Sequence, residues 1–385
     1  MRRYVAVGGI CGLAWSAALR GWMVQLAGGG STFTWMTFVL VLLPGVVVGM
    51  LLGWAAYLRS TGVAPPRKLI LAPVVFASAL FDPVIFIGLI REGTGGGALM
   101  VIATAMSAGF VLSRKGFSWG RAACALVATL GLLMLFGMGG MAAPISSPRG
   151  AWTSLFGLCL ILVLCLASAL PYPTSARVPL PVVGGLCGLA WACALRSFMT
   201  TVAGPESEIH WVGTFAFILL PGLVAGALLG WGRRWTVWSP MLFASVLLSD
   251  PLDIGSLLDD GVGGGAIGVP LLGIIGGYAA AGRGTVTKRA VAGGFFVAGL
   301  VVWAVTATAV GGPSFSLTTT HGLWASLLYW SLLITLALGA SVPLRSSSTI
   351  AAAKQSRPSG PTGGACSSTT DDSTSRIGAA GGAPA

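Results

Sequence analysis

Charged residues are scarce in this chain, and their scarcity excludes an ordinary water-soluble fold. Only 8% of the 385 residues are Asp, Glu, Lys or Arg, whereas 55% are hydrophobic, and the mean hydropathy is +0.88. Soluble domains carry about 25% charged residues. Because so few polar groups could not cover the apolar surface in water, the composition predicts a protein that is embedded in a lipid bilayer.

Residues that commonly carry catalysis or bind metals are also few. The chain has two histidines and seven cysteines, and no pair of cysteines has the spacing of a metal site. No zinc-protease, serine-hydrolase, nucleotide-binding or calcium-binding motif is present. The sequence therefore indicates no catalytic residue, no metal and no cofactor, and it makes an enzyme the less favoured interpretation.

The distribution of the charges excludes nucleic acid as a partner. The formal net charge is +12, but Lys and Arg lie in short loops between apolar runs rather than among aromatic residues on one folded face. With a cytoplasmic N-terminus, 18 of the 22 basic residues fall on the cytoplasmic side, as the positive-inside rule expects. We therefore expect a multi-pass protein of the plasma membrane with both termini in the cytoplasm. The Gly- and Ala-rich composition favours a prokaryotic source.

Apolar runs of membrane-spanning length recur along the chain. A transmembrane helix needs about 20 largely apolar residues. Twelve runs qualify, near residues 4–27, 33–57, 69–90, 95–113, 119–141, 151–171, 180–203, 211–231, 236–257, 263–281, 289–311 and 322–343. The expected fold class is an all-α polytopic membrane protein with about twelve transmembrane helices. The polar composition of residues 346–385 predicts a disordered cytoplasmic tail.

The chain contains an internal duplication. Residues 7–23 match 183–199 at 12 of 17 positions, and residues 37–54 match 214–231 at 12 of 18. Because the N-terminal run reappears in mid-chain, it is expected to be a retained helix rather than a signal peptide. Six spans per copy is an even number, so both copies should have the same orientation, as a parallel 6+6 repeat. The predicted units are residues 1–176 and 177–345, followed by the tail.

Glycine occurs at every fourth position in the second apolar run of each copy. The two sets are Gly45, Gly49 and Gly53 in the first copy, and Gly222, Gly226 and Gly230 in the second. This spacing makes a flat strip along one helix face, which lets another helix approach closely. We expect these six glycines to be packing residues. Pro44 and Pro221, directly before the strips, predict a local bend.

Five charged residues fall inside predicted spans and form the candidate functional site: Arg20, Asp82, Arg196, Asp250 and Asp253. An ionised side chain at the centre of a transmembrane helix costs about 2.5–3.5 kcal/mol on insertion scales, so such groups usually pair or line a wet cavity. We predict Arg20–Asp82 and Arg196–Asp250 ion pairs, or one shared polar cluster. The alternative is that each side chain extends separately to the outer headgroups.

Both aspartates of these predicted pairs precede a proline, at Asp82-Pro83 and Asp250-Pro251. Proline removes a backbone hydrogen bond and crowds the carbonyl four residues back. We therefore predict discontinuous third and ninth spans, with their aspartates lining an outward-facing opening. The second copy has one extra residue before its aspartate, which turns Asp250 by about 100° relative to Asp82 in a regular helix. Equal use of both sites is therefore not expected.

Three functions fit these features. The favoured one is a transporter or permease with a polar site between the repeats and a small molecule or ion as substrate. The alternative is a non-transporting scaffold or accessory subunit of an envelope or signalling complex, which would bind a membrane-protein partner. The third is an intramembrane enzyme whose outer acids act on lipid-linked substrates. The lipid bilayer is a partner in all three.

Overall fold

The fold is described by a computed structural model. It covers residues 1–28, 31–82, 86–87, 96–113, 118–172, 178–204, 207–248, 262–282 and 284–355. Within these ranges every regular element is a helix, and no strand occurs. The helices of more than one turn that are mainly α-helical, with π-helical segments in α2 and α7, are α1 (Arg2–Ala27), α2 (Trp35–Ser60), α3 (Gly96–Val111), α4 (Trp119–Met138), α5 (Pro148–Ser168), α6 (Leu180–Ala203), α7 (Trp211–Trp231), α8 (Val262–Ala281), α9 (Val286–Gly311) and α10 (Thr320–Gln355).

Nine helices in the described part of the chain are long and apolar enough to cross a membrane, judged by length and composition. They are α1, α2 and α4 to α10, whereas α3 is apolar but has only 16 residues. The all-helical class is therefore confirmed, and the apolar helices indicate a membrane-embedded protein. The bounds of α6 and α7 coincide with the expected spans 180–203 and 211–231.

Two 3-10 helices occupy the places of the expected third and ninth spans. The first runs over Arg67–Phe81 and the second over Arg234–Leu248, and each has 15 residues with a proline inside, Pro73 or Pro240. Most 3-10 helices end within about 3–4 residues. The sequence did not predict this helix type. At a rise of about 2.0 Å per residue, 15 residues extend over roughly 30 Å, which is the thickness of a hydrocarbon core.

The helix type also changes directly before the two prolines of α2 and α7. π-helical segments over Phe38–Leu42 and Trp211–Leu219 precede α-helical segments in which Pro44 and Pro221 stand near the first position. Proline and π-helical insertions are both known causes of bending in long helices. The irregular backbone thus lies where the sequence places the prolines.

The glycine strips lie in the tightest helix contacts of the molecule, between α1 and α2 and between α6 and α7. A side-chain carbon added at Gly49 would collide with the backbone of Gly8, and one added at Gly226 would collide with the backbone of Gly184. Only a residue without Cβ fits at these crossings. The remaining strip residues Gly45, Gly53, Gly222 and Gly230 lie against Ser16, Tyr4, Ala192 and Leu180 respectively.

Two tryptophans of the duplicated segment make matching contacts. Trp15 of α1 packs on Phe76 of the first 3-10 helix, with ring centroids 5.1 Å apart, and donates from Nε1 to a carbonyl oxygen of α5 at 2.8 Å. Trp191 of α6 packs on Phe243 of the second 3-10 helix at 4.9 Å and donates to a carbonyl oxygen of α10 at 2.8 Å. These contacts fix the 3-10 helices against the first helix of each copy.

The centre of the core joins the first helix to the last. Trp152 of α5 and Trp324 of α10 are fully buried. Trp324 Nε1 donates to the carbonyl of Ala17 at 3.2 Å, and Trp22 Nε1 donates to the carbonyl of Thr153 at 2.8 Å. Helices α1, α5, α6 and α10 therefore form the middle of the bundle, and the chain segments that follow α1 and α6 lie at the same end of it.

Candidate functional site

Helices α1 and α6 end in the same way. Each is followed by a glycine of positive φ, Gly28 with φ 58° and ψ −142°, and Gly204 with φ 63° and ψ −144°. Side chains strongly disfavour this conformation, so glycine is required at both positions. Both helices therefore end in the same glycine backbone conformation.

Arg20 binds the segment that follows its own helix. Its guanidinium donates from Nη1 to Ser31 Oγ at 3.0 Å and from Nη2 to the carbonyl of Thr32 at 2.6 Å. The guanidinium carbon also lies 4.3 Å from the centroid of the Phe33 ring. The planar, many-donor guanidinium suits such a set of acceptors and an aromatic face. Arg20 therefore fastens the segment after α1 to the last turns of that helix.

Arg196 makes the corresponding bonds in the second copy. It donates from Nη1 to Ser207 Oγ at 3.0 Å, from Nη2 to the carbonyl of Glu208 at 2.6 Å, and from Nε to Thr214 Oγ1 at 3.4 Å. The two main acceptors follow the arginine by 11 and 12 residues, the same separations as in the first copy. Both arginines thus anchor equivalent segments.

The described hydrogen bonds of Arg20 go to Ser31 and Thr32, and Asp82 caps the C-terminal end of the first 3-10 helix. Neutral oxygen atoms can serve as acceptors of a guanidinium as well as a carboxylate can. Both arginines are buried, with 9% and 6% exposure. The Arg20–Asp82 ion pair, and the alternative that each side chain extends separately to the outer headgroups, stay predictions. Asp250 and Asp253 lie outside the described residues, and the pair with Arg196 and the shared cluster remain predictions.

A cavity of about 640 Å³ lies between the ends of α1 and α6, and we call it the vestibule. Its walls come from these two helices, from the start of α5 and from the segment after α6. The described polar side chains that line it are Gln25, Ser147, Arg149, Thr200, Thr201, Ser207 and Glu208. Ser207 and Glu208 are also the residues whose oxygen atoms bind Arg196, so that arginine holds one wall in place.

One hydrogen bond crosses the vestibule region from one copy to the other. The buried side chain of Gln25 donates from Nε2 to Thr200 Oγ1 at 3.0 Å, and the same hydroxyl donates to the carbonyl of Ser197 at 2.8 Å. Both groups of this bond retain further hydrogen-bonding capacity. The vestibule therefore offers amide and hydroxyl groups from both copies.

Charges of both signs stand at the vestibule. Arg149 brings a positive charge from the start of α5, and Glu208 brings a negative charge from the other wall. The Glu208 carboxylate lies 3.1 Å from His210 Nε2, and both side chains are well exposed. Within the described ranges, no group of three or more His, Cys, Asp and Glu residues comes together as a metal site requires. The described lining thus offers charges of both signs beside its amide and hydroxyl groups.

Several vestibule residues were not predicted from the sequence, among them Gln25, Arg149 and Thr200. Their polar side chains are uncharged or lie near a span end, so no insertion cost marks them. The sequence does contain one signal for the segments that Arg20 and Arg196 bind. Ser31 and Ser207 each follow their arginine by 11 residues.

Comparison with known proteins adds no relative from which a function could be transferred. No protein-family model matches the chain, and neither a curated protein nor a solved structure matches it. The function therefore has to be inferred from the geometry of the vestibule.

Proposed function

We propose that the chain is a membrane transporter of the permease type, whose substrate site is the vestibule between two six-helix halves. The observation that carries this proposal is a cavity of about 640 Å³ bounded by polar side chains of both copies. Small-molecule sites commonly have volumes of roughly 300–1,000 Å³. In transporters built from repeats, the substrate site lies at the interface of the repeats.

Twelve spans in a parallel 6+6 arrangement are part of the proposal. Nine of them are the long apolar helices, and α3 with the two 3-10 helices supplies the other three. An even number of spans per half gives both halves the same orientation. The basic loops then place both termini in the cytoplasm of a prokaryotic cell and the vestibule on the outer side of its plasma membrane.

The vestibule favours a small solute with several hydrogen-bonding groups or with charges of both signs. Arg149 would bind an anionic group and Glu208 a cationic one, while Gln25 and Thr200 supply an amide and a hydroxyl. We include the carboxylates that follow the 3-10 helices in the proposed polar site, as binders of a cationic group or coupling ion: Asp82, Asp250 and Asp253. Arg20 and Arg196 are positioning residues in this scheme, because they hold the vestibule segments rather than the solute.

The two 3-10 helices are the elements we propose to move during transport. A 3-10 helix of 15 residues is about 30 Å long, and the same residues in an α-helix would be about 22 Å long. A change of helix type would therefore shift the ends of these elements relative to α1 and α6. Extended 3-10 structure within a protein often marks a hinge or strain.

The proposal is tested by transport into proteoliposomes that contain the full chain. The liposomes are incubated with a defined equimolar mixture of amino acids, sugars, nucleosides and organic acids, and mass spectrometry then measures the solutes inside. We expect at least one solute to accumulate above the level of protein-free liposomes. Thr200→Trp, which fills the vestibule, should abolish that accumulation.

A matched control is Thr306→Trp, which places the same side chain on the exposed face of α9. This variant should transport like the original protein. If folded protein and protein-free liposomes show equal contents for every solute of the panel, the transporter proposal loses its support. Equal loss in both variants would instead remove the vestibule as the site.

A scaffold or accessory subunit is the second candidate, and the exposure of α9 favours it. Only 6% of the residues in an 18-residue stretch of α9 are buried, against 61% in α5. A helix with so little contact inside the bundle has a free surface for another membrane protein. Crosslinking from Val302 and Val305 of α9, which are exposed, should then recover one stoichiometric partner. Recovery of the chain alone would count against this role.

A further inference from the structure

A second cavity, of about 550 Å³, lies at the opposite end of the bundle from the vestibule. No described residue lines both cavities. One face of α1 lines it from Arg3 to Trp15, and parts of α2, the first 3-10 helix and α5 complete the wall. Twelve residues of α-helix rise about 18 Å. The cavity is therefore long relative to its volume and runs along the helix axis.

This cavity has charged residues at one end and mainly apolar residues along the rest of its wall. Arg3 and Arg345 stand at the end where α1 begins. Beyond them the described lining residues are glycines and largely apolar side chains, including Leu52, Phe76 and Leu164. Arg345 Nη2 donates to the carbonyl of Ala280 at 2.7 Å, which holds its guanidinium at the cavity. The shape is that of a site for a molecule with an anionic head and an apolar chain.

We infer that this cavity binds an anionic phospholipid of the leaflet on the basic side of the protein. The phosphate lies at Arg3 and Arg345, and one acyl chain extends along α1 towards Trp15. Guanidinium groups bind phosphate oxygens through paired hydrogen bonds. Half of a hydrocarbon core of about 30 Å is about 15 Å, close to the cavity length. Basic pockets between transmembrane helices on the cytoplasmic side are known to take anionic headgroups.

The duplication supplies an internal reference for this inference. Arg20 matches Arg196, so Arg3 corresponds to Pro179 and Cys11 to Cys187. Arg345 corresponds in the same way to Pro173, from the match of Trp152 with Trp324. The second copy thus has the same cysteine but neither arginine. Cys11 lines the cavity, and both cysteines are exposed and free, so the reactivity of their thiols can be compared within one molecule.

The test measures alkylation of Cys11 and Cys187 by N-ethylmaleimide in the purified full chain. The protein is delipidated in detergent and then mixed with phosphatidylglycerol, with phosphatidylcholine or with inorganic phosphate, and mass spectrometry of the peptides gives both rates. At a phosphatidylglycerol concentration of about ten times its Kd, the Cys11 rate should fall about tenfold. The Cys187 rate should not change, and neither phosphatidylcholine nor inorganic phosphate should protect Cys11.

Two arginine variants test the headgroup contact. Arg345→Gln and Arg3→Gln should each weaken binding about tenfold, so that the protection of Cys11 falls to about twofold at the same lipid concentration. Arg289→Gln is the matched control, because Arg289 also donates to a carbonyl oxygen at the end of α8, at 3.3 Å, but does not line the cavity. It should keep full protection. The melting temperature of each variant in detergent verifies its folding, and Arg3, which is exposed, serves if Arg345→Gln does not fold.

The inference is overturned if phosphatidylglycerol protects Cys11 and Cys187 equally, or if phosphatidylcholine protects Cys11 as well. It is also overturned if inorganic phosphate alone gives the protection, or if Arg289→Gln weakens it as much as Arg3→Gln does. None of these results depends on transport through the vestibule.

Discussion

In the first half of the chain Trp15 donates to a carbonyl of α5 at 2.8 Å, and in the second half Trp191 does the same to α10 at the same distance. The bonds between the halves have no such copies. Trp324 donates to the carbonyl of Ala17, whereas its counterpart Trp152 has no partner for Nε1 within the described residues. These tryptophan contacts inside each half therefore recur, whereas the described contact of Trp324 between the halves has no counterpart at Trp152.

The two halves also differ at residues that line the cavities. Gln25, which crosses to Thr200 in the vestibule, corresponds to Thr201 in the second copy, and Thr200 corresponds to Val24. This crossing bond therefore occurs once rather than twice. The linings of the two cavities therefore include residues that differ between matched positions of the two halves.

The largest expected effect comes from breaking the shared scaffold at the glycine strips. Gly49→Leu and Gly226→Leu should each lower the free energy of unfolding by about 3 kcal/mol or more, because the new side chain collides with a helix backbone. Gly137→Leu in α4 is the control, since a side-chain carbon there meets nothing within 4 Å. Unfolding of the purified protein in mixed micelles measures all three. A clearly smaller loss for one strip than for the other would break the equivalence of the copies.

A smaller effect is expected from the two anchoring arginines. Arg20→Ala and Arg196→Ala should each lower the free energy of unfolding by about 2 kcal/mol, because each change removes part-buried hydrogen bonds from a charged donor. Arg20→Lys and Arg196→Lys should still lose most of this stability, since a lysine side chain lacks the planar guanidinium that reaches two acceptors. The same unfolding assay applies. Equal losses support matched anchors, and an unchanged stability for either variant would contradict them.

The smallest loss of stability is expected from the two matching tryptophans, Trp15 and Trp191. Trp15→Phe and Trp191→Phe each remove one hydrogen bond, which within membranes is worth about 0.6 kcal/mol on average. Trp15 and Trp191 are both half-buried and lose the same atoms, so the two variants should show the same loss of stability. A loss in only one of them would show that the two bonds are not equivalent.

The sequence predicts the long helices well because their cause is local. Runs of about 20 apolar residues are visible without any knowledge of the partners, and the bounds of α6 follow directly from such a run. The 3-10 geometry of Arg67–Phe81 was not predicted. A continuous apolar run has no periodicity that would distinguish 3.0 from 3.6 residues per turn. Its form is visible only in the structure.

The candidate site was predicted in part for a similar reason. Arg20 and Arg196 are buried, as their place in apolar runs implies, and their part in a polar site stays a prediction. Charge reasoning assigns them carboxylate partners, which also stay predictions, and the described acceptors are hydroxyl and carbonyl oxygens. Every residue has a backbone carbonyl, so the sequence does not show which of them accepts a hydrogen bond. Only the repeated separation of 11 and 12 residues could have pointed to them.

Side-specific labelling of single cysteines in intact cells tests the parallel arrangement of the two halves most directly. Thr34→Cys and His210→Cys lie at the vestibule end of α2 and α7, and Ser60→Cys and Arg233→Cys lie at the opposite end. A membrane-impermeant maleimide added outside should label the first two positions and neither of the others. Labelling of Thr34→Cys together with Arg233→Cys, but not of His210→Cys, would show that the halves are inverted and that no shared outer vestibule exists.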